Sequence, residues 1–277
     1  MLEKITDRIY YMMNRDETDR PVLGLVIGDD CCLIVDAGNS PKHAQEFKME
    51  LDKMDLPPVK YLVVTHHHWD HTFGLKEWDV VSIANHKTTE YMNVYRDIKY
   101  DDTSLEVAKE QGIFNDFSIK CIQAEITDRE NFAPELVNVS FEGEIKIDLG
   151  GITCEVRQIV SPHTEDSSLL YIPEEKTLFL GDSVYGRTIQ GYNHFDDQLL
   201  FPLIDLIEEY DAEYYVCSHE SVCTREEIVS YWEQLKTGFD FANTCSSLEE
   251  GLVAYKKQFD KEPSDDEMFF MKSFGLR

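Results

Sequence analysis

Thr65-His66-His67-His68-Trp69-Asp70-His71-Thr72-Phe73-Gly74 directly follows the apolar run Tyr61-Leu62-Val63-Val64. The run reads as a buried strand, and the ten residues after it as the loop that this strand delivers. Four histidines and one aspartate fall within positions 66–71. Neutral imidazole and carboxylate are donors that suit zinc and related first-row divalent ions, and a short loop can aim several of them at one region. A purification tag would not sit in the interior of a chain behind an apolar strand. The segment reads as a metal-binding loop.

Three later segments carry further donors in order. They are Val160-Ser161-Pro162-His163-Thr164, Leu178-Phe179-Leu180-Gly181-Asp182 and Val216-Cys217-Ser218-His219. Each is weak alone, because a single histidine is more often an ordinary structural or surface residue. An aspartate after a strand often only caps the next helix. Taken jointly, strand-like runs ending in His or Asp, all downstream of the long loop, are hard to obtain by chance. Upstream, Leu33-Ile34-Val35-Asp36-Ala37-Gly38 reads as a strand and turn that support the loop.

On these residues the chain resembles the metallo-β-lactamase-fold superfamily, whose signature Thr-His-x-His-x-Asp-His-x-x-Gly matches 65–74. The matches run from about residue 8 to 225. The resemblance implies an α/β fold, the four-layer αββα sandwich, with metals at one edge between the sheets. It implies that His66, His68 and His163 hold one metal ion, that Asp70, His71 and His219 hold a second, and that Asp182 bridges them. Two divalent ions, zinc first and manganese or iron as alternatives, would share a hydroxide nucleophile; bound zinc alone lowers the pKa of water to about 7. Asp70 would also orient that nucleophile. Asp36 is expected behind the ligands, holding the loop in place. His67 occupies a variable position and is expected to point away from the metals, while His43, His86 and His194 lack motif context and read as ordinary residues.

The chain departs from the family pattern beside two ligands. Pro162 precedes His163, with Glu165-Asp166-Ser167-Ser168 after Thr164; Ser218 precedes His219 and Glu220 follows it. These flanks keep the donors but are expected to put carboxylates near the metals. An aspartate at the bridging position is similar to the glyoxalase II and lactonase branches. Tyr185 lies three residues after Asp182, the offset of a lactonase tyrosine that assists the carbonyl oxygen, or it packs under the loop. Tyr91, Tyr95, Tyr100 and Tyr192 are alternative wall residues. Arg187 is expected either to pair with a substrate carboxylate or phosphate or to neutralise its acidic surroundings.

Composition narrows the partners. The 277 residues, 42% of them apolar, can bury a large core in a single domain over 1–277. With 26 Lys and Arg against 54 Asp and Glu the formal charge is −28, which repels nucleic acid and fits a solvated acidic surface. No apolar run reaches the roughly 18 residues of a membrane span, and the start of the chain lacks the apolar core of a signal peptide. Seven cysteines without CxxC spacing argue against a disulfide framework; Cys31, Cys32, Cys154 and Cys217 read as buried small apolar residues, and Cys217 and Cys223 flank His219. A cytoplasmic location is expected, with a small-molecule substrate. Helices of the insertion or tail would support a homodimer if one forms, though no direct signal marks it.

Along the chain, 9–12, 22–27 and 31–35 read as antiparallel strands with a turn at Gly28-Asp29-Asp30. Residues 41–54 read as a helix capped by Ser40 with Pro41 in its first turn. A strand at 80–84 follows the loop. Residues 86–135 form a mostly helical insertion. A strand-rich half runs over 137–180, with strands at 144–149, 153–159 and 169–172. Helices are expected at 199–209, 225–236, 248–259 and 265–272, and 240–277 reads as a C-terminal helical extension. The resemblance and its ligand set imply a dinuclear metal-dependent hydrolase of a small ester, lactone, thioester or amide. A phosphodiesterase, or an iron-dependent oxidoreductase similar to a persulfide dioxygenase, is the alternative, and a sensor that kept the fold is a third reading.

Overall fold

The computed structural model describes residues 1–189 and 192–277. In chain order, the first part contains β1 (Leu2–Lys4), β2 (Ile9–Met12), β3 (Leu23–Ile27), β4 (Cys32–Val35), α1 (Pro41–Leu51), β5 (Val59–Val63), α2 (Trp69–Thr72) and β6 (Val81–Asn85). The insertion follows as α3 (His86–Arg96), α4 (Asp102–Glu110) and α5 (Asp116–Glu125). Next come β7 (Val139–Phe141), β8 (Glu144–Asp148), β9 (Thr153–Gln158), β10 (Ser168–Ile172), β11 (Thr177–Gly181), β12 (Arg187–Ile189) and β13 (Tyr192–His194). The chain ends with α6 (Asp197–Glu208), β14 (Tyr214–Cys217), β15 (Cys223–Thr224), α7 (Arg225–Thr244), α8 (Leu248–Phe259) and α9 (Asp265–Ser273).

Strands β1 to β7 form one sheet in sequential order, antiparallel from β1 to β4 and parallel from β4 to β7. The second sheet runs β15-β14-β11-β10-β9-β8, and β12 pairs with β13 alone. Successive side chains of a strand point to opposite faces, and here both faces are buried. On β4, Leu33 and Val35 enter a core shared by both sheets, while Cys32 and Ile34 pack outward under α1 with Phe47 and Leu51. On β11, Phe179 enters the shared core and Leu178 and Leu180 pack outward with Leu200, Leu203 and Ile207 of α6. Helix, sheet, sheet, helix is the expected four-layer sandwich. At Gly24 the ring of Phe179 occupies the place of a side chain, 2.6 Å from where a Cβ would stand, so this position keeps the sheets in contact only as glycine.

Helix starts follow their caps. Ser40 accepts the His43 backbone N–H with Pro41 at the first turn, and Asn85, Asp101 and Asn115 cap the three insertion helices in the same way. The first helix stops at Leu51, before the expected end at 54. The Thr224–Glu227 capping box opens α7, which runs to Thr244, past the expected end at 236 and across the boundary set at 240. Short strands β1, β7, β12, β13 and β15 were not anticipated. The insertion packs its own aromatic core of Tyr95, Tyr100, Phe114 and Ile122 around Phe73 and Trp69 of the loop. No helix among the described residues is long and apolar enough to cross a membrane.

Candidate metal centre

Strand β5 ends at Val63 and the chain turns through His66 and His68 into α2, a single helical turn that carries Asp70 and His71. Asp36 fixes this loop from the end of β4. It adopts the left-handed region at φ 63°, which Asp tolerates better than most residues. Its Oδ1 accepts from the Thr65 backbone N–H at 2.8 Å, and its Oδ2 accepts from the Thr65 hydroxyl at 2.9 Å and lies 2.8 Å from His71 Nδ1. The Ala37 backbone N–H donates to the His71 carbonyl at 2.9 Å. The rigid end of the parallel sheet thus sets the direction of the His71 ring.

Two sets of donor atoms converge at this edge. His66, His68, His163 and Asp182 form one, and Asp70, His71, Asp182 and His219 the other; within each set the atoms lie within 4.8 Å of one another. Asp182, at the end of β11, belongs to both. Its Oδ2 is 3.5 Å from His163 Nε2 and 3.5 Å from His219 Nε2, and its Oδ1 is 3.5 Å from His71 Nε2. Asp70 Oδ2 lies 3.0 Å from His71 Nε2 and 3.2 Å from His219 Nε2. His68 Nδ1 is 3.0 Å from His66 Nε2 and 2.9 Å from His163 Nε2.

The electrostatics divide the two sets. Burial holds His66, His68 and His163 below the usual imidazole range, His68 down to about 3. Those rings are neutral, the form in which a histidine binds metal. Burial would also depress His71 and His219, but the carboxylates of Asp70 and Asp182, with Asp36 beside His71, hold both above it. Burial would raise Asp70 and Asp182, and the facing histidines keep them below the carboxylate range.

The donors fit divalent cations. His71 Nε2 and Asp182 Oδ1 are buried without hydrogen-bond partners, a costly state for polar atoms unless something else satisfies them. His163 Nδ1 lies 3.2 Å from the Gly186 carbonyl and donates to it, which leaves Nε2 as the free donor atom. With His71 Nδ1 directed at Asp36, its Nε2 is likewise left for a cation.

The other sequence candidates fall on both sides of the site. Tyr185 lines the cavity, and its hydroxyl accepts from the His219 backbone N–H at 3.3 Å; burial pushes its phenol well above the usual range. Arg187 and Tyr95 also line the cavity, whereas Tyr100 is buried in the insertion core and Tyr91 reaches Glu165. Tyr192 stacks under the Arg277 guanidinium at 4.5 Å. His67 belongs to neither donor set; its Nδ1 lies 2.9 Å from Asp166 Oδ1. Of the flanking acids, Glu220 lines the cavity, but Glu165 turns to Lys87 at 3.0 Å. Asp166 is wholly buried, accepting from His67 N–H, the Thr88 hydroxyl and the Thr164 hydroxyl. It is a structural anchor for the loop.

Sequence reading missed Asp19 and Asn14. Asp19 lines the cavity with Oδ1 4.0 Å from His219 Nδ1, and burial and the charge of Asp70 push its carboxyl up to about 7. Asn14 donates to the His219 carbonyl at 2.8 Å. Both lie between β2 and β3, far from every motif, and no local pattern marks them. The cavity over the donors measures about 1070 Å³, and the α4–α5 turn, with Ile113, Phe114 and Phe117, forms one wall.

The sequence profile of the metallo-β-lactamase superfamily matches residues 18–219, and the chain belongs to that superfamily. Among solved structures it is similar to a stereoselective inverting sec-alkylsulfatase from Pseudomonas sp., with 14% identity and a TM-score of 0.66 over 97% of this chain. The chain spans about half of that protein, 47% of its length. A metallo-β-lactamase from Pontibacter korlensis matches with 20% identity and a TM-score of 0.54, over 84% of this chain and 97% of its own. The metallo-β-lactamase DIM-1 gives 18% identity and a TM-score of 0.57, over 83% of this chain and 93% of its own. No curated protein sequence matches the chain.

Proposed function

We propose that the chain is a dinuclear metal-dependent hydrolase acting on a small ester, lactone, thioester or amide. The observation that carries this reading is the pair of donor sets sharing Asp182 at the floor of a large open cavity. His66, His68 and His163 would hold one cation, and Asp70, His71 and His219 the other, with Asp182 between them. When bound, such a pair acidifies a water into a nucleophile near neutral pH and polarises the substrate oxygen. Zinc suits the His/Asp donors best, and manganese or iron can take the same set.

The chain's own groups supply orientation. Asp70, whose Oδ2 lies 3.0 Å from His71 Nε2 and 3.2 Å from His219 Nε2, would accept a hydrogen bond from the attacking water. Tyr185 lines the cavity and accepts from the His219 backbone, so on this reading its own O–H would turn from its neighbours to donate to a developing oxyanion. Its raised pKa keeps it protonated and a donor across the neutral range. Trp69 and Phe114, both almost fully buried, close the floor and wall against bulk water.

Metal content of protein purified without an affinity tag or added metal tests this. About two zinc or manganese ions per chain, falling in His68→Ala together with hydrolysis of aryl esters, lactones or thioesters, is the expected outcome. About one iron per chain with oxygen-consuming turnover of a persulfide would replace the hydrolase with a redox enzyme. Turnover confined to phosphodiesters would move the substrate class and leave the chemistry in place. Sulfate esters, named for the Pseudomonas protein, belong in the same screen.

A further inference from the structure

The charged residues of the cavity wall are not spread evenly around the donors. His163 and His219 belong to different donor sets on either side of the shared Asp182. Beside His219 stand Asp19 and Glu220. Beside His163 stands the β12 strand: the Gly186 carbonyl accepts from His163, and Arg187 follows in the cavity wall. Among the described residues, Arg187 is the only lysine or arginine in that wall. The acidic residue in its neighbourhood, Glu165, is held by Lys87 at 3.0 Å and by the Tyr91 hydroxyl at 3.4 Å. Asp116, across the cavity, is taken by Lys109. In a chain with 54 acidic and 26 basic residues, an arginine that forms no ion pair among the described residues and faces a reaction cavity is conspicuous by its chemistry. The apolar wall of Ile113, Phe114 and Phe117 spans the same cavity, and Phe117 is 46% exposed there.

Resting on the hydrolase reading above, we infer that Arg187 is a specificity-determining residue. It selects acyl substrates whose chain ends in a carboxylate, held at the His163 end of the centre with the methylenes along Ile113 and Phe117. Guanidinium binds a carboxylate through two parallel N–H bonds, which fixes direction as well as charge. A singly charged carboxylate suits one arginine. A phosphate dianion would leave a charge unmatched in a cavity that also holds Asp19 and Glu220. Those two acids oppose the reverse orientation, so the charged end has one way in.

Two esters test this: 4-nitrophenyl hexanoate and mono-4-nitrophenyl adipate, which differ only in the terminal methyl or carboxylate. The quantity read is the ratio of kcat/KM for adipate to that for hexanoate in metal-loaded protein. The ratio should exceed one in the wild type and fall about tenfold in Arg187→Gln, the low end expected when a charge-assisted bond is made from a solvent-facing arginine. Arg187→Lys should recover part of the ratio, and Lys146→Gln, a charge change at the far edge of the second sheet, should leave it at the wild-type value. A ratio untouched by Arg187→Gln overturns the inference while the hydrolase reading stands. If the wild type cleaves neither ester, the hydrolase reading fails for this class, and Arg187 is judged by binding alone. Calorimetric titration of metal-loaded protein with adipate and with hexanoate then gives the comparison without turnover. Tighter adipate binding that is lost in Arg187→Gln supports the role, and equal affinity for both acids refutes it.

Discussion

Asp36→Asn separates the support of the centre from its donors. The backbone at this position lies at φ 63°, which asparagine adopts about as readily as aspartate, so the turn survives. The side chain cannot do the same work. Asp36 accepts at two oxygens from three donors, at 2.8, 2.9 and 2.8 Å. An asparagine has one oxygen. If it faces Thr65, the amide N–H2 meets His71 Nδ1, and the ring must give up its Nδ1 proton to accept. The imidazole proton then moves to Nε2, the atom turned toward Asp70 and Asp182, and blocks it as a ligand. If it faces His71, the Thr65 backbone N–H meets an N–H2 and the ligand loop loses its anchor. Either way one charge-assisted bond disappears from a buried site, a cost of about 1.5–3 kcal/mol in the stability of the metal-free protein. Metal affinity at the Asp70–His71–His219 set should fall roughly 10- to 100-fold. Competition titrations against a chromophoric chelator read that affinity, and urea unfolding of the metal-free protein reads the stability. The reasoning is refuted if the second binding step stays within about twofold of wild type while the protein folds normally.

Three further perturbations probe other joints. Arg20 is 2% exposed and is held by Glu125 through bonds of 2.8 and 2.7 Å and by Glu46 at 2.6 Å; Glu125→Gln leaves it half-compensated and should lower the urea-unfolding free energy by about 3 kcal/mol. Burial would raise the Asp166 carboxyl, but the bond and charge of His67, with His66 and Thr164, hold it well below the usual range. A carboxyl whose folded pKa lies below its unfolded value of about 3.9 contributes its full stability above that pH and loses it as pH falls through the folded pKa. Asp166→Asn should therefore show its whole deficit at neutral pH and a narrowing gap below about pH 4, read as the difference in urea midpoints. An added Cβ at Gly186 would stand 2.0 Å from Asn193 Oδ1 and 2.6 Å from the His194 carbonyl oxygen. Gly186→Ala should push β12 and β13 apart, turn the Gly186 carbonyl off His163 and lower affinity at the His163 set, measured by the same chelator competition.

What the sequence makes legible follows from how each feature is encoded. The layers are legible because β3, β4, β10 and β11 carry apolar residues on both faces, a pattern that only a doubly covered sheet requires. Ser40-Pro41 and Thr224 to Glu227 mark helix starts for local reasons. The seven expected donor residues do meet at one edge, since they follow the ends of strands, in a loop, a turn or the single turn of α2. Strands of two or three residues, such as β15 and β12, leave too short a pattern to read. Roles carried by backbone atoms are equally silent: nothing in the letter Gly186 says that its carbonyl would meet His163. Asp19 reaches the cavity from a left-handed turn to which Asn39 Nδ2 donates at the Thr18 carbonyl, at 2.8 Å, an encounter across the fold. Asp166, quoted as part of an unusual flank, serves as an anchor for a reason visible only when Thr88 from another helix is placed beside it.

Arg20 also bears on how selective this cavity can be. The donors are fixed by the fold at the edge of the sheets, so on the proposed function discrimination would fall to the walls. One wall is the α4–α5 turn, and Glu125 at the other end of α5 binds the buried Arg20, whose guanidinium also holds Glu46 of α1. Ser40, the cap of α1, donates to Glu125 as well, at 3.3 Å. The helix behind the apolar wall is thus bolted to the helix behind the first sheet, through a residue adjacent to Asp19. An ion pair this deep adds little net stability over a packed apolar cluster, and its better-attested use is to fix one arrangement among several. On that argument the α5 side of the cavity is preformed before any substrate arrives. If the chain cleaves acyl substrates as proposed, weakening the pair should broaden the range of acyl lengths accepted before it lowers the rate on the best one. A flexible lid would do the opposite, because its closure energy would be drawn from the preferred substrate.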